Sequence, residues 1–314
     1  MLLTVDDLSI SAPQRPLLRG IDLEITSGEI VGLVGASGSG KTLTALAICG
    51  ALPDTLQRSG TITWNLPRGE ANSTRRRQVS MIFQDPLQAL DPTMTIGRAL
   101  RLRLRDADIT DRDAQRHAVA VALDEVGLHP ATSFLTRYPH ELSGGQRQRV
   151  LVAQGLIGNP ALVIADEPTA SLDDESSERT LGLLMRQIRE RHASLLLITH
   201  DISVALSTCD RIAVMYEGFL VELASADTIR NHASHPYTRA IVAAARALEE
   251  GAVLEFDPPE TASPVESIPL EGCPYRLGCQ RSTTECARSM PEVTTSPAGG
   301  LVRCHHPFME DAYQ

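Results

Sequence analysis

The sequence predicts an α/β protein built on a buried, mostly parallel sheet, and three observations carry that expectation. Apolar runs of strand length recur, as in Ile30-Val31-Gly32-Leu33-Val34, Ala161-Leu162-Val163-Ile164-Ala165 and Leu195-Leu196-Leu197-Ile198. Runs without polar alternation suit strands covered on both faces. Helical patterning separates them, which is the rhythm of a parallel sheet. The first run also opens into a glycine-rich loop followed by a helix.

That loop is Gly35-Ala36-Ser37-Gly38-Ser39-Gly40-Lys41-Thr42, running into Leu43-Thr44-Ala45-Leu46-Ala47-Ile48. It fits G-x-x-x-x-G-K-[ST] in the strand–loop–helix setting the motif requires. Glycines let backbone N–H groups converge on phosphate oxygens, and the helix N-terminus adds its positive end. Lys41 then bridges the β- and γ-phosphates of a nucleotide, and the Thr42 hydroxyl ligates Mg2+. A glycine-rich turn without a ligand is the bland alternative, and the flanking strand and helix weigh against it. Composition singles out the same residue, because 28 of the 29 basic side chains are arginine and Lys41 is the one lysine. A compact ammonium fits inside a closed loop where a planar guanidinium is too wide.

Val79-Ser80-Met81-Ile82-Phe83 reads as the next strand and delivers Gln84. A helical insertion is expected over 93–158. Its helix from about Asp111 to Val126 is expected to bury Ala118, Val121, Ala122 and Leu123. Ser143 is expected to cap a second helix ending near Gly158, ahead of Asn159-Pro160. Gly144 and Gly145 behind that cap make a second anion-binding helix end. A chain with one phosphate loop has no use for it, unless it serves another molecule's nucleotide.

The strand through Ala165 ends in Asp166-Glu167, at the carboxyl edge where parallel sheets bind ligands. Asp166 suits the Mg2+ shell, and Glu167 suits polarising a water in line with the γ-phosphate. The strand Ser194–Thr199 delivers His200 to the same edge. Alone, an acidic pair or a histidine at a strand end is ordinary; beside the phosphate loop they form a constellation. Two short helices are expected near Ala226–His232 and Tyr237–Glu249, then a Pro- and Glu-rich linker over 251–271.

Composition narrows the partners. The net charge is −10 over 314 residues, and residues 245–314 hold eleven acidic against five basic side chains. That balance argues against nucleic acid as the main ligand. Arg75-Arg76-Arg77 and Arg98/Arg101/Arg103/Arg105 read as solvated faces or partner contacts before they read as an anion site. No run approaches the roughly 18 apolar residues of a membrane span, and the acidic N-terminus lacks a signal-peptide pattern. A cytoplasmic location follows as an expectation, with any membrane role coming through a partner.

With Leu142-Ser143-Gly144-Gly145-Gln146 added, the chain resembles the nucleotide-binding subunit of ABC transporters. The phosphate loop, Gln84, this signature, Asp166-Glu167, the Ser171-Leu172-Asp173 loop and His200 come in the family's order and spacing over about residues 1–225. The resemblance implies a P-loop ABC ATPase core of RecA-like type over 1–225, with an antiparallel β-subdomain and the helical subdomain 93–158. It implies ATP and Mg2+, and a head-to-tail dimer. Gly35, Ser37, Gly38, Ser39, Gly40, Lys41, Thr42, Gln84, Asp166 and Asp173 then hold nucleotide, with Ser143, Gly144, Gly145 and Gln146 reaching it from the other subunit. Thr42, Gln84 and Asp166 hold Mg2+, while Glu167, His200, Lys41 and Gln84 serve catalysis.

Phe83-Gln84-Asp85-Pro86, Leu90-Asp91-Pro92, Tyr138-Pro139-His140-Glu141 and His235-Pro236-Tyr237-Thr238-Arg239-Ala240 resemble the oligopeptide/dipeptide/nickel importers within that family. This branch implies a second, different ATPase subunit, two permeases and an extracytoplasmic substrate-binding protein. It places the chain on the cytoplasmic face of the inner membrane, with peptides as cargo. Ala36 and Gly50-Ala51-Leu52-Pro53 resemble nickel-type members, so nickel or a metal chelate is the alternative. One departure is plain: the family stacks adenine on an aromatic residue near Ala12, and no Phe, Tyr or Trp precedes Trp64 here. A soluble ABC ATPase of DNA repair or translation is the rival reading. The gap of 102 residues from Lys41 to Ser143 leaves no room for long coiled coils, and only one cassette is present.

Six cysteines complete the picture. Cys49 and Cys209 lie in apolar helices and are expected to be buried thiols. Cys273, Cys279, Cys286 and Cys304 form C-x5-C-x6-C-x17-C after the 226–270 helices and linker, in the segment 271–314. Disulfides do not suit a reducing compartment, and no pair has the C-x2-C knuckle spacing common in Zn2+ sites. Four thiolates suit an iron–sulfur cluster. The importer branch implies a 4Fe–4S cluster at this segment, through Gly272-Cys273-Pro274 and Cys304-His305-His306-Pro307. Iron–sulfur, zinc and unligated thiols all remain open on the residues alone.

Overall fold

The computed structural model describes residues 1–13, 15–65, 79–106, 109–170, 173–251 and 271–309. Arg75–Arg77, Ser171-Leu172 and most of the 251–271 linker lie outside the described residues.

Among the described residues the larger sheet has eight strands: β10 (Val293–Thr295), β11 (Leu301–Arg303) and β9 (Phe219–Ser225), then β8, β3, β7, β6 and β5. Its centre is parallel: β3 (Ile30–Gly35) lies between β7 (Ser194–Thr199) and β8 (Arg211–Tyr216), and β6 (Leu162–Asp166) and β5 (Val79–Ile82) follow outward from β7. Every residue of β3, β6 and β7 is buried. Alternation then divides each strand between two cores. Leu195 and Leu197 of β7 face one apolar cluster, and Leu196 and Ile198 face the other. Register aligns the strand ends, with Val34 opposite Thr199 and Asp166 opposite Ile198. The chemistry-bearing residues that follow these strands therefore emerge at one edge.

A separate antiparallel sheet, β2-β1-β4, comprises Arg15–Ile25, Leu3–Ala12 and Gln57–Trp64. Helices α1 (Lys41–Cys49), α2 (Pro86–Ala89), α3 (Ile96–Asp106), α4 (Arg112–Glu125) and α5 (Gly144–Leu156) come next, α2–α5 between β5 and β6. Asp111 caps α4 by accepting the Ala114 N–H at 2.8 Å. The expected burial on α4 is out of phase at one position, because Val121 is 39% exposed while Gln115, Val119, Ala122 and Leu123 are buried. Positions 115, 119, 122 and 123 form one stripe at helical spacing, and 121 points away from it.

After β6 come α6 (Asp174–Glu190), β7, α7 (Ile202–Thr208), β8, β9 (Phe219–Ser225), α8 (Ala226–His232) and α9 (Pro236–Glu249). The cysteine segment is not a free-standing appendage. It contains α10 (Thr284–Arg288), and its hairpin of β10 (Val293–Thr295) and β11 (Leu301–Arg303) pairs through β11 with β9 of the main sheet. An open sheet edge presents unpaired N–H and C=O groups, and this hairpin covers it. Phe308 N–H donates to the Ser234 carbonyl at 2.9 Å, fastening the far end of the segment to the turn before α9.

Candidate active site

The phosphate loop is shaped by close approaches that only glycine permits. A Cβ on Gly35 would lie 2.3 Å from the Met215 carbonyl oxygen, and one on Gly40 would lie 2.3 Å from Leu18 Cδ2. Gly40 also caps α1 in a left-handed conformation, φ 104°. Lys41 is folded back into the loop, its Nζ donating to the carbonyls of Gly35 (2.8 Å) and Ala36 (2.9 Å). Burial lowers its pKa, against the opposing pull of Glu167 and Asp166. The Ser39 hydroxyl is buried without a hydrogen-bond partner. A buried polar group left unpaired costs free energy unless a ligand satisfies it, and a phosphate oxygen fits the position.

Beside the loop, Thr42 Oγ1 donates to Asp166 Oδ2 at 2.8 Å. Two hard oxygen donors on adjoining elements fit Mg2+. That ion, when bound, neutralises phosphate charge; Thr42 and Asp166 are the residues that would hold it. Burial holds the Asp166 carboxyl above its ordinary range; the Thr42 hydroxyl opposes this, Glu167 adds to it and Lys41 opposes it. A carboxyl with a raised pKa favours folding in its protonated form. That contribution is full below the unfolded pKa and is lost as pH rises through the folded one. At neutral pH the ionised group therefore costs stability until a cation compensates it. Asp166→Asn is expected to raise the melting temperature of the nucleotide-free chain at pH 7, with the gain shrinking as pH is lowered, while Mg2+-dependent ATP turnover is lost. Melting curves across pH, paired with turnover assays, check both halves.

Glu167 is the pivot of the edge. Its φ is 44°, an uncommon conformation for a residue with a side chain, and its N–H donates to the Ile198 carbonyl at 2.9 Å. One carboxylate oxygen accepts Gln84 Nε2 at 3.0 Å, and the other lies 3.2 Å from His200 Nδ1. Lys41, Thr42, Gln84, Asp166, Glu167 and His200 thus come together, drawn from four segments of the chain. A carboxylate with two oriented neighbours, beside a phosphate-binding loop, is equipped to take a proton from an attacking water.

Other sequence-named residues lie apart from this group. Ser143 caps α5, its Oγ accepting the Gln146 N–H at 3.2 Å while Gln146 Oε1 accepts the Ser143 N–H at 3.0 Å. A Cβ on Gly144 or Gly145 would meet nothing within 4 Å. Asp173 is spent on capping α6, accepting from both Ser176 N–H and Ser176 Oγ. Ala12 ends β1 opposite Arg15 and offers no ring for a base. Gln148 was not legible as functional: buried on α5, it donates to the Pro168 carbonyl just after Glu167, joining the signature helix to the catalytic strand end. Cys49 is only half-buried and lines a groove with Val79 and Phe83, whereas Cys209 is buried, its thiol pushed up to about 11.

Cys273, Cys279, Cys286 and Cys304 line one pocket, with His235, His305 and His306 around it. The backbone N–H groups of Tyr275, Arg281 and His306 oppose the rise of the Cys273, Cys279 and Cys304 thiols respectively. Burial still raises all three thiols, Cys304 to about 11. Among the described residues no three metal-ligating side chains are grouped as one bound ion would require. No described helix is long and apolar enough to cross a membrane.

Known proteins with the same features bear on this geometry. The family profile described as "ABC transporter" matches residues 18–170, and that described as "Oligopeptide/dipeptide transporter, C-terminal region" matches 221–286. The chain is 36% identical to the oligopeptide transport ATP-binding protein OppD of Salmonella typhimurium, over 99% of this chain and 95% of that protein. It is 34% identical to the dipeptide transport ATP-binding protein DppD of Escherichia coli, over 99% and 98%. Among solved structures, the ATP-binding subunit of an ABC transporter superposes with a TM-score of 0.62 at 27% identity, covering 73% of this chain and 92% of that one. A dimeric ATP-binding cassette in a post-hydrolysis state with ADP and Pi gives 0.59 at 26%, covering 72% and 99%. With the phosphate loop, Asp166 and Glu167 disposed as described, the chain is an ATP-hydrolysing subunit belonging to the oligopeptide/dipeptide branch of the ABC transporter ATP-binding proteins.

Proposed function

We propose that the chain drives import of peptides as half of a head-to-tail pair of ATPase subunits, beneath two permeases fed by an extracytoplasmic binding protein. The observation that carries the pairing is the signature helix end. Gly144 and Gly145 are open, no contact among the described residues calls for glycine there, and a capped helix N-terminus is an anion site. A partner's ATP is the anion that fits it. A related but different ATPase subunit is the expected partner, since the relatives include both OppD and OppF proteins. The permease contact is assigned to the groove beside Gln84, where the exposed Phe83 lies with Met81, Ala89 and Leu151. That contact holds the chain at the cytoplasmic face of the inner membrane.

Reconstitution with its permeases and binding protein tests the cargo. ATP turnover stimulated by di- or oligopeptides is the expected result. Stimulation by nickel or a metal chelate alone reassigns the cargo, and retention on ribosomes or DNA in place of the permeases overturns the transport reading.

At the cysteine pocket the reading is a 4Fe–4S cluster held by Cys273, Cys279, Cys286 and Cys304. The all-thiol donor set supports it, as do the three backbone N–H groups that oppose the rise of the thiols. Spread of the four thiols around a pocket suits a cluster, whose ligands bind separate irons, better than Zn2+, which needs sulfurs about 2.3 Å from one centre. Such a group ties four points of a segment with little apolar core of its own. Anaerobically purified protein is expected to show visible absorption that bleaches on reduction and is lost in Cys279→Ser. Colourless protein with one bound zinc would reassign the site.

A further inference from the structure

Gln148 stands outside the group that meets nucleotide, yet its amide touches the backbone beside Glu167. The side chain is 0% exposed on α5, and its Nε2 donates to the Pro168 carbonyl. Its Oε1 is buried without a hydrogen-bond partner among the described residues. A side chain that only filled this space could be apolar and would leave no such atom behind. The half-satisfied amide is therefore a cost to the core, and the bond to Pro168 is what offsets it.

The acceptor sits where the backbone most needs a hold. Glu167 lies in the left-handed region, φ 44°, and a residue with a side chain persists there only when its surroundings fix it. Its N–H donates to the Ile198 carbonyl at 2.9 Å, and its carbonyl accepts the Ala170 N–H at 3.2 Å. Pro168 has no N–H to offer, so its carbonyl is the next backbone group able to pin the turn. Pro168 is buried, and the Gln148 amide meets that carbonyl.

The helix that carries Gln148 is itself seated hard against the sheet. A Cβ on Gly155 of α5 would lie 2.4 Å from Ile82 Cγ1, so glycine is what admits this approach of the helix to β5. Ile82 ends β5 two residues before Gln84, whose Nε2 donates to one Glu167 oxygen at 3.0 Å. One helix thus braces Glu167 from two directions. Gln148 holds the backbone just after it, and Gly155 lets α5 lie against the strand that delivers Gln84.

We propose that Gln148 is a positioning residue for Glu167: its amide fixes the Pro168 carbonyl, and through it the direction of the carboxylate that takes a proton from the attacking water. The inference rests on Glu167 as the general base, and the turnover of Glu167→Gln tests that reading by itself. Steady-state phosphate release by the full chain in its assembled transporter tests the positioning role, with ATP binding and melting temperature measured alongside. Gln148→Met keeps the length of the side chain and cannot donate. Its kcat is expected to fall about ten- to hundredfold, the scale of a misplaced reacting group, with KM and the Kd for ATP within about twofold of wild type. In a Glu167→Gln background the same change is expected to slow the residual turnover by less than about twofold, because both residues act on one step. A purely structural role does otherwise: it lowers the melting temperature and ATP affinity, and slows turnover equally in both backgrounds. Gln148→Asn keeps the amide but falls one methylene short of the carbonyl, so it is expected to match the methionine variant and guards against a packing effect in it. Turnover within about twofold of wild type in both variants, or equal slowing in both backgrounds, overturns the proposal.

Discussion

Replacing Glu167 with glutamine is expected to cut ATP turnover by about 10²–10⁴-fold, the usual span for loss of a general base, while ATP remains bound. The geometry separates the two effects. Lys41, Thr42, Asp166 and the loop glycines form the phosphate and Mg2+ end of the site, and none depends on Glu167 for its place. What Glu167 contributes is a proton acceptor fixed between Gln84 and His200. Glutamine is close in shape and retains a carbonyl for the Gln84 amide, so the change removes basicity and little else. Equilibrium binding of ATP and steady-state phosphate release, measured on the same preparation, check it. Normal turnover in the variant would remove Glu167 from its catalytic role.

The second large effect is expected from Gly145→Asp, and it is expected only in the pair. Among the described residues a side chain at this position meets nothing, and an acid in the first turn of a helix is favourable to folding. The isolated variant should therefore melt like the wild type and bind ATP like it. In the proposed pair the new carboxylate would face the partner's triphosphate where two helix N–H groups are meant to be. Loss of such preorganised donors typically costs about 10²–10³-fold in rate, and added like charge deepens it. Turnover by mixed pairs carrying one variant chain is the measurement. Unimpaired turnover would show that this helix end serves no partner nucleotide.

Much of this site is legible in the chain because its motifs are local. Gly35 to Thr42 form one strand–loop–helix transition, and the residue types follow from what phosphate demands of backbone and ammonium. Ser143 is likewise a local device: it caps its helix as expected, and Gln146 completes a capping box. The two helices after β9 also fall within a residue of expectation, since Ser225 and His235 are side-chain caps. Local phase is less secure: Val121 looks like core by composition and faces outward by helical angle.

What the chain determines by itself is therefore the inventory: a phosphate loop, an acid pair, a signature helix end and four late cysteines, each set by chemistry acting over a few residues. Tertiary structure alone decides their relations. The parallel register of β5, β6 and β7 brings Gln84 and His200 onto Glu167, Gln84 reaching it across 83 residues of chain. Sheet-edge pairing of β11 with β9 makes the cysteine segment part of the core rather than a tail. Packing of Tyr216, Tyr237 and Tyr275 then joins that segment to β8 and α9. The reason is physical: periodicity and capping are read along a chain, whereas register and side-chain packing depend on which distant surfaces are buried together.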